Sequence, residues 1–137
     1  GNLSLDDSNT FTSNDHNGIY LTTYAQINEG YSISWAETEV PFVIDYYLII
    51  DENGALNLND NVALKFMADN FLRVYEGGAL TRGNNVIFTS YRDDSVKGDT
   101  DNMNIEPGLN DWQGVRINSD YVTWPEIFYD SYAQHTH

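Results

Sequence analysis

Asp93, Asp94, Asp99, Asp101 and Asn102 place five oxygen-bearing side chains within ten residues, and Gly98 lies among them where a tight bend is needed. Calcium takes about six to eight oxygen ligands from carboxylates, carbonyls and water, so a loop of this composition can supply several of them. The EF-hand order is absent, with no D-x-D-x-D-G run and no closing glutamate. A solvated acidic loop ordered by its own Asx turns has the same composition, and both readings stand at this point.

Aromatic rings offer a second chemistry, since their faces stack on sugar rings while nearby Asp, Asn and Gln exchange hydrogen bonds with hydroxyls. Tyr, Trp and Phe make up 14% of the chain. Most of these rings are expected in the core. Tyr91, Tyr121, Trp124 and Tyr132 fall beside polar segments, and Trp112 follows the acidic run, so these five are the candidate ligand-binding residues. His135 and His137 form an H-x-H pair that suits zinc on a strand, but a fraying terminus explains it as well. His16, in the turn SNDHNG, reads as solvated.

Motif enzymes are excluded by the lack of G-x-S-x-G, a phosphate loop, H-E-x-x-H and any cysteine. A polysaccharide lyase needs a basic group and cationic neutralisation of its substrate, which a chain of net charge −15 supplies poorly without bridging calcium. A glycosidase needs two convergent carboxylates, whereas neighbours such as Asp93 and Asp94 point to opposite faces of a strand. Catalysis is therefore not expected. With 21 acidic and 6 basic residues, nucleic acid is not expected as a partner and anionic membrane surfaces are poor ones. No apolar run is long enough for a membrane span. The absence of cysteine leaves the redox compartment open.

The elements that must position these residues announce themselves as a repeat. GALNLNDNVALKF from Gly54 returns without a gap as GALTRGNNVIFTS from Gly78, a period of 24 (78 − 54 = 24). Such a period marks a solenoid. It pairs Leu56 with Leu80, Val62 with Val86 and Leu64 with Phe88 as inward ladders. Asn61 and Asn85 become equivalent corners, where Asn tolerates left-handed backbone and can bond its neighbour in the next turn of chain. GNLSLDDSNTFTS from Gly1 reads as a weaker copy, with Leu3 in the place of Leu80.

GIYLTT (18–23), PFVIDYYLII (41–50), VALKF (62–66), FLRVY (71–75) and VIFTSY (86–91) read as strands separated by Asn, Asp and Gly clusters. Helical spacing across residues 61–78 is the competing reading, but its first half aligns with the strand-like NNVIFTS. The whole chain is expected to form one all-β module, a parallel β-helix of about five rungs. Residues 1–33 form an N-terminal rung, 34–92 the central rungs, 93–111 an acidic excursion and 112–137 a last rung or cap. An antiparallel sandwich is the structural alternative.

PFVIDYYLIIDENGALNLNDNVALKF and FLRVYEGGALTRGNNVIFTS resemble secreted right-handed parallel β-helix proteins of bacteria, and PGLNDWQGVRI after the acidic run is similar to their Pro-Gly-Asp-Trp-Gly-Gly-Ile signature. The match covers roughly residues 34–117. It departs at NLND (57–60) and at Gln113, and 118–137 matches no further rung, as if the array were truncated. The resemblance implies a right-handed coil, secreted or on a cell surface, serving as an adhesive or structural module. Open solenoid ends expose strand edges, so neighbouring copies or modules stacked end to end into a filament are the expected partners. The alternative is a carbohydrate-binding module, calcium-assisted, with a polysaccharide as partner.

Overall fold

The structure is a computed structural model that describes residues 2–4, 19–21, 24–36, 41–93, 95–96, 107–108 and 111–130. Within them the chain is all β. The strands are β1 (Asn2–Ser4), β2 (Ile19–Leu21), β3 (Tyr24–Ile27), β4 (Ser32–Trp35), β5 (Phe42–Ile44), β6 (Leu48–Ile50), β7 (Ala55–Leu58), β8 (Ala63–Phe66), β9 (Phe71–Val74), β10 (Ala79–Arg82), β11 (Ile87–Ser90), β12 (Gly114–Ile117) and β13 (Asp120–Tyr121). No described helix is long and apolar enough to cross a membrane.

These strands form three sheets. The first runs β1-β3-β6-β9-β12-β13, the second β10-β7-β4 and the third β11-β8-β5-β2. From β2 to β12 the chain visits the third, first and second sheets in strict rotation, and every pair is parallel except the closing hairpin β12–β13. A short chain achieves this when each turn stacks on the one before, because parallel neighbours need a crossover and here the other two strands of the turn supply it. The central register is the sequence period itself: Leu80 pairs with Leu56 and Phe88 with Leu64. Strand, turn and strand occupy residues 63–74, where the helical spacing had competed.

The corners work as the Asn repeat implies. Asn61 and Asn85 both have positive φ, 67° and 60°. The Asn85 amide donates to Asn61 Oδ1 at 3.4 Å, and Asn61 N–H donates to Asn84 O at 2.9 Å. A second corner stacks Gly30, Asn53 and Gly77, all left-handed, through Gly30 N to Asn53 O and Asn53 N to Gly77 O. Only Asn, Asp and Gly adopt this backbone cheaply, which is why they punctuate the chain.

The interior is built from stacked rows. Ile27, Ile50 and Val74 form one, Leu48, Leu72 and Val115 another, and Phe42, Leu64 and Phe88 a third, all essentially inaccessible. Two flat aromatic stacks lie among them, Trp35 on Phe42 at 4.3 Å and Phe66 on Trp112 at 4.2 Å.

The weaker N-terminal copy takes a different place from the one its sequence suggests. Leu3 pairs with Ala25 in the first sheet, whereas Leu80 lies in the second. Leucine-serine alternation fits either sheet, and the register is decided by the neighbouring strand. PFVIDYYLII is two strands, β5 and β6, with a corner at Asp45–Tyr47 that its apolar composition conceals.

Candidate functional site

The C-terminal end of the coil is where the apolar rows change character. Trp35 and Leu58 are buried, and Arg82 follows them in register at the place of the next inward residue. Leu21, Ile44 and Phe66 likewise lead to Ser90. An inward-pointing charge cannot seed another apolar layer, so it marks the end of a stack.

The residues after β12 supply what these polar ends need. The Arg82 guanidinium lies 3.9 Å from the Trp124 ring centroid and donates to Glu126 Oε1 at 2.8 Å. Residues 126–128 cover the outer edge of β11: Phe88 N donates to Glu126 O at 3.0 Å and Phe128 N to Phe88 O at 2.9 Å. Ile127 is fully buried, bridging Phe88, and Trp124 tilts against the same ring at 6.0 Å. Ser90 Oγ donates to Asp111 Oδ2 at 2.7 Å, and Arg92 pairs with Asp111 at 3.5 Å. Antiparallel β13 closes the edge of β12. Of the C-terminal edges expected of an open solenoid, those of β11 and β12 are thus covered by the chain itself, while β10 ends the second sheet with no described strand beyond it.

Beside this cap an open cleft of about 570 Å³ runs over the outer face of the second sheet, lined among others by Asn57, Asn59, Asp60, Thr81, Arg82 and Gly83. A second hollow, about 680 Å³, shares Arg82 and Gly83 and adds Asn84, Asn85 and Glu126. Gly83 makes their common floor possible. A Cβ there would lie 2.2 Å from Asp60 Oδ1, which accepts the Asn84 N–H at 2.8 Å. Amide, hydroxyl, carboxylate and guanidinium groups thus line the two hollows, and the partly exposed Trp124 indole packs against the Arg82 guanidinium that both share; polar groups beside an aromatic surface are the set that recognises sugar hydroxyls.

The sequence candidates are distributed unequally about this site. Trp124 borders it through Arg82. Trp112 is fully buried, stacked on Phe66, with its indole N–H donating to Phe128 O at 2.8 Å, so its face is taken up by the core. Tyr91 is 8% exposed, with Arg92 over its ring and Arg92 Nε donating to its hydroxyl at 3.1 Å. Tyr121, partly exposed, belongs to the first sheet beside Arg116. Tyr132 lies outside the described residues, as do His16, His135 and His137.

Of the expected calcium ligands, only Asp93 is described; Asp94, Asp99, Asp101 and Asn102 are not. Asp93 is 5% exposed and accepts from Thr89 Oγ1 at 2.8 Å through one carboxylate oxygen and from Ser95 N–H and Oγ through the other. Among the described residues no three acidic or histidine side chains form a metal-binding group. In the chain the acidic segment lies between β11 and β12, the position that residues 67–70 hold between β8 and β9 in the preceding layer. The described residues at its end are in register with that corner, with Asp69 N donating to Asp111 O and Gln113 N to Asn70 O.

The cleft residues went unrecognised in the sequence because NLND and TRGNN read as turns. Their signal was there: two corners in equivalent repeat positions, both rich in side-chain donors and acceptors. Comparison with family models, curated proteins and solved structures finds no match for the chain.

Proposed function

We propose that this chain is a right-handed parallel β-helix, secreted or displayed at a cell surface, that acts as an adhesive module by binding carbohydrate in the cleft between the second sheet and the C-terminal cap. The observation that carries the proposal is that Asn57, Asp60 and Thr81 line one hollow and Asn85 and Glu126 a second, both sharing Arg82, whose guanidinium packs on Trp124. Sugars bind through aromatic faces and short polar side chains held on a rigid frame, and stacked corners provide such a frame. The function is binding, with no bond made or broken.

Self-assembly into a filament is weighed in the same experiment. The covered edges of β11 and β12 disfavour stacking through that end, while β2 and β4 each pair with a single described strand at the other. A glycan array probed with the purified chain, with sedimentation velocity on the same sample, separates the two. Retention of one class of oligosaccharide by a monomer is expected. Filaments that bind no glycan would replace the adhesive reading with a structural one. Running the array with calcium and with chelator tests whether the 93–102 segment assists.

A further inference from the structure

On the outer face of the first sheet, away from the cleft, Arg73 of β9 and Arg116 of β12 are directly paired in the ladder. Leu72, Val74 and Val115 on either side point inward, so both arginines project outward. Adjacent strands lie about 4.8 Å apart, so the two arginines leave neighbouring positions on one face of the sheet. Like charges in direct register destabilise a sheet. A chain with 21 acidic residues has nevertheless set no described carboxylate in an ion pair with either one, as it has for Arg82 with Glu126 and Arg92 with Asp111. Both Nε atoms are buried without a hydrogen-bond partner. Each arginine is held instead by a ring, Arg73 over Tyr75 at 4.4 Å and Arg116 over Tyr121 at 5.8 Å. Tyr75 is 38% exposed, and Phe71 of β9 stacks on Tyr47 of the preceding corner at 4.5 Å.

We propose that the Arg73–Arg116 pair binds the anionic group of an acidic sugar, a carboxylate or a sulfate ester, while Tyr75 and Tyr121 meet the sugar ring. Guanidinium groups held on rigid strands present forked donors that match such oxyanions. An isolated pair suits one anionic group, where the close-set phosphates of a nucleic acid need a basic stripe. The net charge of −15 opposes approach at low salt, but a Debye length of about 8 Å at physiological ionic strength confines that repulsion.

Isothermal titration of the whole chain with four probes tests this: a uronic-acid tetrasaccharide, a sulfated tetrasaccharide, a neutral tetrasaccharide and sodium sulfate. At least one charged tetrasaccharide is expected to bind at 0.15 M salt, and which one identifies the anion. R73Q and R116Q should each weaken it about tenfold or more, each removing one charge-assisted contact, with melting midpoints confirming folded variants. W124A should leave it unchanged, so failure of the cleft and failure of the arginine pair are distinguishable. No binding by either charged sugar, or binding indifferent to R73Q and R116Q, would overturn the proposal. Sulfate ion binding as tightly as the sulfated tetrasaccharide would overturn its sugar component.

Discussion

Replacing Trp112 separates a core role from a ligand role. Its indole is fully buried, lies 4.2 Å from the Phe66 ring at 5° and donates to Phe128 O at 2.8 Å. Trp112→Ala empties a large volume, at a cost of about 3–5 kcal/mol, and domains of this kind have about 5–15 kcal/mol in total. Trp112→Phe is the graded test. It keeps a stacking ring, worth about 0.5–1.5 kcal/mol. It removes the bond to Phe128 O, leaving that carbonyl short of a donor at about 1–3 kcal/mol. A midpoint lowered by about 5–10 °C is expected for a chain of this length. Thermal and urea unfolding followed by circular dichroism measure it, and titration with a glycan retained on the array reads binding in the folded variant. Trp112→Phe should leave that affinity within about twofold. A variant that melts like the parent but no longer binds sugar would refute the burial argument and return Trp112 to the ligand set.

Gly83→Ala should destabilise by about 1–3 kcal/mol and weaken glycan binding, because its Cβ would meet Asp60 Oδ1 at 2.2 Å. Gly108→Ala, with nothing within 4 Å, should be near neutral in the same melting assay. Asn85→Ala should cost about 1–2 kcal/mol by removing the short polar side chain that makes φ 60° tolerable and by losing the bond to Asn61, and Asn85→Gly should recover most of the backbone part. Thr89→Val should cost about 1–3 kcal/mol by depriving the buried Asp93 of a donor. Calcium is tested by melting in excess calcium and in chelator: bound at a hundredfold excess over Kd it adds about 2.7 kcal/mol, and coincident midpoints would remove it.

The period of 24 was legible because identical backbone corners demand identical residues. Asn61 and Asn85 share one left-handed conformation, and Leu56–Leu80 and Leu64–Phe88 share one layer geometry. Strands with polar outward residues were harder to see. ALNL and ALTR place Asn57, Thr81 and Arg82 where turn chemistry is expected, and YAQI and SISW carry few apolar residues. Lys65 illustrates a further limit. Alternation in VALKF points it to solvent, yet it is fully buried in the outward row with Val43 and Thr89. What covers a sheet face depends on distant chain, which local periodicity does not report. Trp112 and Tyr91 were ambiguous for the same reason, since an aromatic beside a polar run serves equally as a cap to the core or as a platform for a ligand.

Amide chemical-shift mapping during titration with a glycan retained on the array tests the binding reading most directly. The shifts should cluster at residues 57–60, 81–85 and 124–126, and W124A should abolish them. Shifts confined to other faces of the coil, or shifts at the cleft that survive W124A, would contradict a carbohydrate site beneath the C-terminal cap.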